Sequence, residues 1–192
     1  MTSPPDHLAG IVRVGPFAGL YHRFEELIAS STRMVLYFIH SRRWRENHDA
    51  AIKAFLAREG TALEVFLPDL ESRELMYSLG RHFEDGEQIP ALVTDAYRYF
   101  ARLARDFDRP LRLRLFGRYP TYSFYRFDEV AIMALYSNAA AKKDLPALEI
   151  RADGAMGRFL ARDIDDLRKE CRRCAPAELE GVITRATAIP SM

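Results

Sequence analysis

Eight residues, RMVLYFIH from Arg33 to His40, restrict the fold more than any other stretch of this chain. The run is apolar almost throughout, of strand length, and lacks the polar alternation of a strand with one face in water. It fits a strand buried on both faces, as in a parallel sheet covered by helices. The flanking segments supply the helices. LYHRFEELIASS spaces Leu20, Phe24, Leu27 and Ile28 at helical intervals. SRRWRENHDAAIKAFLAREG puts Trp44, His48, Ala51, Ile52 and Phe55 on one helical face, with Ser41 or Asn47 as the cap and Gly60 at the C′ position.

A second strand, ALEVFLPD, ends at Pro68, and two further helices follow. In the second of these, Tyr97, Phe100, Leu103, Ala104 and Phe107 share a face. From Leu111 the pattern changes. LRLRLF alternates strictly, which predicts a half-exposed strand at a sheet edge. TYSFYRFD and VAIMALYS read as strands joined tightly at Asp128-Glu129. ALEIRAD is one more strand, and AMGRFLARDIDDLRKEC a closing helix with Met156, Phe159, Leu160, Ile164 and Leu167 inward. GIVRVG near the start reads as a short strand. The order predicts an α/β fold: a single-domain mixed β-sheet with helices on both faces. Its bounds are residues 11–175, with a loose arm over 1–10 and a C-terminal tail over 176–192.

Charge restricts the partners. The net charge of +1 excludes a general polycation, so the whole-molecule field does not favour nucleic acid or an anionic membrane. Locally, five arginines and no acid lie between Arg109 and Phe127. Cys171 and Cys174 follow a charged helix, the wrong place for a redox CxxC, and the histidines show no zinc spacing, so two reduced thiols, no metal and no cofactor are expected. The acids Asp163, Asp165 and Asp166, flanked by arginines, read as a solvated ion-pair face. With no apolar run of spanning length and no signal-peptide pattern at the start, a cytoplasmic protein without a membrane span is expected.

The stretch GRYPTYSFYRFDEVAIMALYSN resembles the core of a phospholipase-D-like domain over roughly residues 10–170. That superfamily carries His-x-Lys with an Asp following, then a strand ending in a Ser/Asn element. Asp128 takes the Asp position, VAIMALYSN the strand, and Ser137 and Asn138 the last element. The His and Lys positions hold Thr121 and Ser123. The resemblance therefore implies a phospholipase-D-like fold with a degenerate active site. An enzyme of this type needs two copies of the motif, so a homodimer would be required for turnover.

Residue chemistry supplies the candidate site. Ser41, Arg42, Arg43 and Trp44 follow the first buried strand, where α/β sheets collect ligands. Arginine forks suit phosphate, and Trp44 either stacks on a base or packs in the core. Asp69 reaches the same rim or serves as a helix N-terminal acid. Arg118, Tyr122, Ser123 and Arg126 interleave basic, aromatic and hydroxyl groups, which fits either an anionic ligand or an amphipathic sheet rim. With Asn138 these residues compose the expected binding site. Three readings follow. The first is a non-catalytic phospholipase-D-like domain that binds a nucleotide, a nucleic acid or a phosphorylated molecule, in a bacterial signalling or defence system. The second is a dimeric phosphodiesterase or nuclease using His40 and Asp128. The third is a protein interaction module whose LRLRLF edge pairs with a partner strand.

Overall fold

The computed structural model describes residues 7–82, 88–107, 109–136 and 145–188. Eight strands form one mixed sheet. They are β1 (Ile11–Pro16), β2 (Arg33–Tyr37), β3 (Ala62–Pro68), β4 (Leu111–Phe116), β5 (Tyr122–Phe127), β6 (Val130–Leu135), β7 (Pro146–Arg151) and β8 (Arg172–Cys174). Their spatial order is β1-β7-β6-β5-β2-β3-β4-β8. The central three, β2, β3 and β4, run parallel to their neighbours in that set. All other pairings are antiparallel. The run that reads as a doubly buried strand is β2, and it lies in the middle of the sheet, between β3 and β5.

Helices α1 (Tyr21–Ser30), α2 (Arg42–Asn47), α3 (Asp49–Ala57), α4 (Arg73–His82), α5 (Ile89–Asp106), α6 (Ala155–Glu170) and α7 (Leu179–Thr187) complete the fold. Alternation along β5 sorts them by face. Tyr125 and Phe127 point to Phe24 of α1, and Tyr122 points to Asp163 of α6. The α1 face carries Phe24, Ile52, Phe55, Val93 and Phe100, all at most 1% exposed. Among the described residues no helix is long and apolar enough to cross a membrane.

Several expectations need correction. LRLRLF is β4, and β8 covers its outer side through pairs Leu113–Cys174 to Leu115–Arg172. It is therefore no free edge for a partner strand. Its Arg114 is buried, because Glu64 on β3 and Arg168 on α6 meet it: Arg114 Nε donates to Glu64 Oε1 at 2.5 Å and Arg168 Nη2 to Glu64 Oε2 at 2.8 Å. Cys171 and Cys174, by contrast, keep to expectation as buried free thiols, and burial pushes the Cys171 thiol up to about 12. Phe159, expected inward on α6, is 53% exposed. The segment read as a tail contains α7, whose Leu179, Val182 and Ile183 are buried, and α7 packs on α5. The single helix expected from Ser41 to Gly60 breaks at His48 into α2 and α3.

Candidate functional site

Because β5 runs antiparallel to β2, the start of β5 and the end of β6 meet the C-terminal end of β2. The loop Phe38–Ser41 turns the chain from β2 into α2 at that point. Ser41 takes left-handed backbone angles, φ 44° and ψ 42°, a conformation that costs a non-glycine residue about 1–2 kcal/mol. Its hydroxyl lies 2.7 Å from the Tyr125 hydroxyl and caps nothing, which corrects the expected N-cap role. The strained turn therefore aims Ser41 at β5.

Two adjoining cavities open there. The smaller, about 180 Å³, is lined by Ile39, His40, Ser41, Ser123, Tyr125 and Tyr136 among others. The larger, about 730 Å³, runs from His40 and Ser41 past Arg42, Arg43 and Trp44 to Asn47 and His48. Phe17, His40, Ser41 and Leu145 line both, so they form one cleft. No carboxylate lines either cavity among the described residues. Arg42 is exposed and held by Glu46 at 2.8 Å one helical turn on. Arg43 is exposed at the rim.

The hydroxyls in the cleft are neutral groups. Burial pushes the Tyr125 phenol up to about 12 and carries Tyr136 well above its ordinary value. The Tyr136 hydroxyl accepts from the Ile39 N–H at 3.2 Å, and His40 Nδ1 accepts from the Arg42 N–H at 3.2 Å. Burial also holds the His48 imidazole below the usual histidine range, with Glu25 partly opposing. The chemistry on offer is hydrogen bonding and positive charge.

The structure brings together His40, Ser41, Arg42, Arg43, Trp44 and Ser123 of the expected residues. Trp44 is core, 4% exposed, with its ring against Phe24, Tyr125 and His48, so it presents no open face for stacking. Ser123 is buried, with its hydroxyl 3.4 Å from the Ala134 carbonyl. The other expected residues stand elsewhere. Tyr122 is buried on the α6 face and donates to Asp163, so that acid does not belong to the solvated ion-pair face. Asp69 accepts from Arg172 at 2.9 Å. Arg118 pairs with Glu170 at 2.9 Å, and Arg126 donates to the Asp128 carbonyl at 2.8 Å. Asn138 and Ser137 lie outside the described residues. Alternation along 118–126 could not show that its residues divide between two faces of a covered sheet. Tyr21, Asn47, His48, Gln88 and Tyr136 complete the cleft and were not singled out as site residues. His48 carried the one available signal, its place on the Trp44 helical face.

Asp128 sits at the far end of β5 from the cleft, in the turn to β6 with φ 47°. Its carboxylate accepts from the Thr32 and Arg33 N–H groups, both at 2.8 Å. It pins β2 to the hairpin and does not meet His40 within the chain. Asp128→Ala is expected to lower stability by about 1–3 kcal/mol in denaturant unfolding, through two orphaned donors and a left-handed alanine. Asp128→Asn, which tolerates that backbone and keeps one acceptor, is expected to lose less.

No protein-family model matches the chain, and no curated protein matches it in sequence. Solved structures do. The fold is similar to that of phosphatidylserine synthase from Haemophilus influenzae, with 15% identity and a TM-score of 0.60 over 91% of this chain and 43% of that one. It is also similar to TrmBL2, an archaeal chromatin protein with a novel mode of DNA binding, with 13% identity and a TM-score of 0.55 over 85% and 54%. Nuc from Salmonella typhimurium, a phospholipase D family member, matches with 12% identity and a TM-score of 0.47 over 84% and 96%. The chain spans about half the length of the first two. The likeness, at such identities, reaches the fold and stops there: an α/β fold on a mixed sheet with helices on both faces, as the sequence led us to expect.

Proposed function

We propose that the chain is a degenerate phospholipase-D-like domain that binds an anionic ligand at the end of β2 and leaves it intact. One observation carries this reading: the described residues lining the cleft include two arginines and two histidines but no carboxylate. Such a site favours negative charge and disfavours a cation. A nucleotide, a nucleic acid or a phosphorylated molecule supplies that charge. DNA binding by TrmBL2, which shares the fold, supports the nucleic-acid branch. Two features support the absence of turnover. The positions that the resemblance gives to His and Lys hold Thr121 and Ser123, and the Ser123 hydroxyl faces a main-chain carbonyl. Asp128, at the motif's Asp position, is spent on backbone N–H groups at the other end of the strand.

The test is titration calorimetry with nucleotides, inorganic phosphate and short DNA and RNA, followed by a metal-supplemented turnover assay on every ligand that binds. Arg43→Ala is expected to weaken binding about tenfold, the size of one charge-assisted contact, and Arg118→Ala to leave it unchanged. Affinity should fall with salt. Consumption of a bound ligand would overturn the non-catalytic reading. Equal affinities for Arg43→Ala and the wild type would overturn the placement of the site.

A further inference from the structure

The edge of the sheet opposite β1 carries positive charge that the fold does not use. Two grooves lie there, one on each face of the sheet, and Ala175 and Pro176 just after β8 line both. The first runs along α5, whose Arg98, Arg102 and Arg105 stand at i, i+4 and i+7 and so share one exposed face. The second lies on the α6 side, where Arg112 of β4 and Arg173 of β8 neighbour the buried Arg114. Acids answer part of this charge. Glu180 is the one carboxylate lining either groove among the described residues, and it accepts from Arg98 at 3.2 Å. Asp106 lies 3.4 Å from Arg105, and Glu64 holds Arg114. Arg102, Arg112 and Arg173 are exposed, and no carboxylate pairs with them among the described residues. Arg102 rests over the buried Tyr99 ring, 5.9 Å from its centre.

We infer that this edge is a second anionic interface, separate from the cleft at the end of β2, and that its partner is a nucleic-acid duplex held by its phosphate backbones. Like charges gathered on one edge repel, and a polyanion relieves that repulsion. Three features select the partner. Between its arginines the α5 groove presents alanine and proline. These offer no pocket for the large apolar anchors of a protein interface, and no apolar face to insert into a membrane. No aromatic ring lines either groove among the described residues, whereas single-strand sites stack bases on exposed rings. A duplex also presents two lines of phosphate with a groove between them. That matches two sets of arginines with the Ala175–Pro176 ridge between them. Arginine contacts to phosphate position a protein but carry no base information, so binding here is indifferent to sequence.

Fluorescence anisotropy on the intact chain tests this, with two labelled DNA duplexes of unrelated sequence, a single strand of one of them, and polyglutamate as competitor. The two duplexes are expected to bind alike and more tightly than the single strand, with affinity falling steeply as salt rises. Arg102→Ala and Arg112→Ala, one on each side of the ridge, should each weaken the duplex about fivefold and flatten the log–log salt slope by about 0.9, the share of one phosphate. Arg118→Ala, outside both grooves, should leave it unchanged. Both edge arginines are exposed, and matching urea unfolding curves verify that the variants stay folded. Loss of the duplex with Arg43→Ala and not with the edge variants would overturn the edge and keep the cleft as the anion site. Weakening by one edge variant alone would overturn the two-backbone arrangement. A single strand that binds as well as the duplex would overturn the choice of a duplex. Displacement by polyglutamate at equal charge would replace the nucleic acid with an acidic protein. No duplex binding at all would overturn the inference and leave the cleft to its own calorimetry.

Discussion

Replacing Glu64 with alanine is expected to cut the unfolding free energy by about 3–5 kcal/mol, the usual cost of stranding a buried charge. Glu64 joins the Arg114 and Arg168 guanidinium groups beneath α6, with side chains 12%, 8% and 30% exposed. Both cations also lie over the Phe66 ring, at 5.9 and 5.8 Å. Removal of the carboxylate leaves Arg114 buried with the Arg168 carbonyl as its remaining acceptor. Arg168→Ala is expected to cost less, because Arg168 reaches water and Glu64 keeps Arg114. Urea unfolding measures both. The pH dependence has a definite sign. Burial by itself would raise the Glu64 pKa, but hydrogen bonds from Arg168 and Arg114 outweigh it and hold the carboxyl below its usual range. A depressed pKa in the folded state gives stability that is complete above the unfolded value, about 4.3, and lost as pH falls through the folded one. The gap between wild type and Glu64→Gln should therefore be widest near neutrality and shrink below about pH 4.

Gly157→Ala is expected to destabilise the chain by about 3 kcal/mol or more, against the ordinary preference of a helix for alanine. Gly157 lies in the first turn of α6, where that preference would stabilise by up to about 1 kcal/mol. A methyl group there would run into the Arg151 carbonyl oxygen and come within 2.7 Å of the Ala152 Cα. Both are backbone atoms, so no side-chain rotation relieves the clash. α6 would have to lift off the β7 turn, and it carries Asp163 and Arg168 with it. Loss of the Tyr122 and Glu64 contacts together makes this substitution more damaging than its volume suggests. Thermal unfolding followed by near-ultraviolet circular dichroism checks it; an unchanged or raised melting temperature would contradict the close approach.

These two sites show where the sequence spoke and where it was silent. Local pattern was enough for β2, α1 and α5, because a buried apolar run or a helical stripe is written in neighbouring residues. It was also enough to place Trp44 and His48 on one face. It failed wherever a partner lay far along the chain. LRLRLF alternates as an exposed strand does, yet Arg114 finds Glu64 fifty residues earlier. Asp69 looked like a rim acid until Arg172 arrived on β8. In the stretch 118–126, Tyr122 and Ser123 turn to opposite faces, and Ser123 reaches the cleft with Tyr125 while Tyr122 does not. Recognising the cleft required the end of β6, the turn before α1 and the start of α5 to be seen together.

The strand order also fixes a timetable. Among the described residues β1 hydrogen-bonds to β7 alone, Ile11 opposite Ile150, and β8 closes the other edge after Cys171. During synthesis β1 must therefore wait, unpaired, until β7 has been made. Contacts so distant in sequence slow folding, since the intervening loop must close before they form. The central β2–β3–β4 block can assemble earlier, so the edges are the last to zip and the first to fray, and amide exchange should be fastest at the two ends of the sheet.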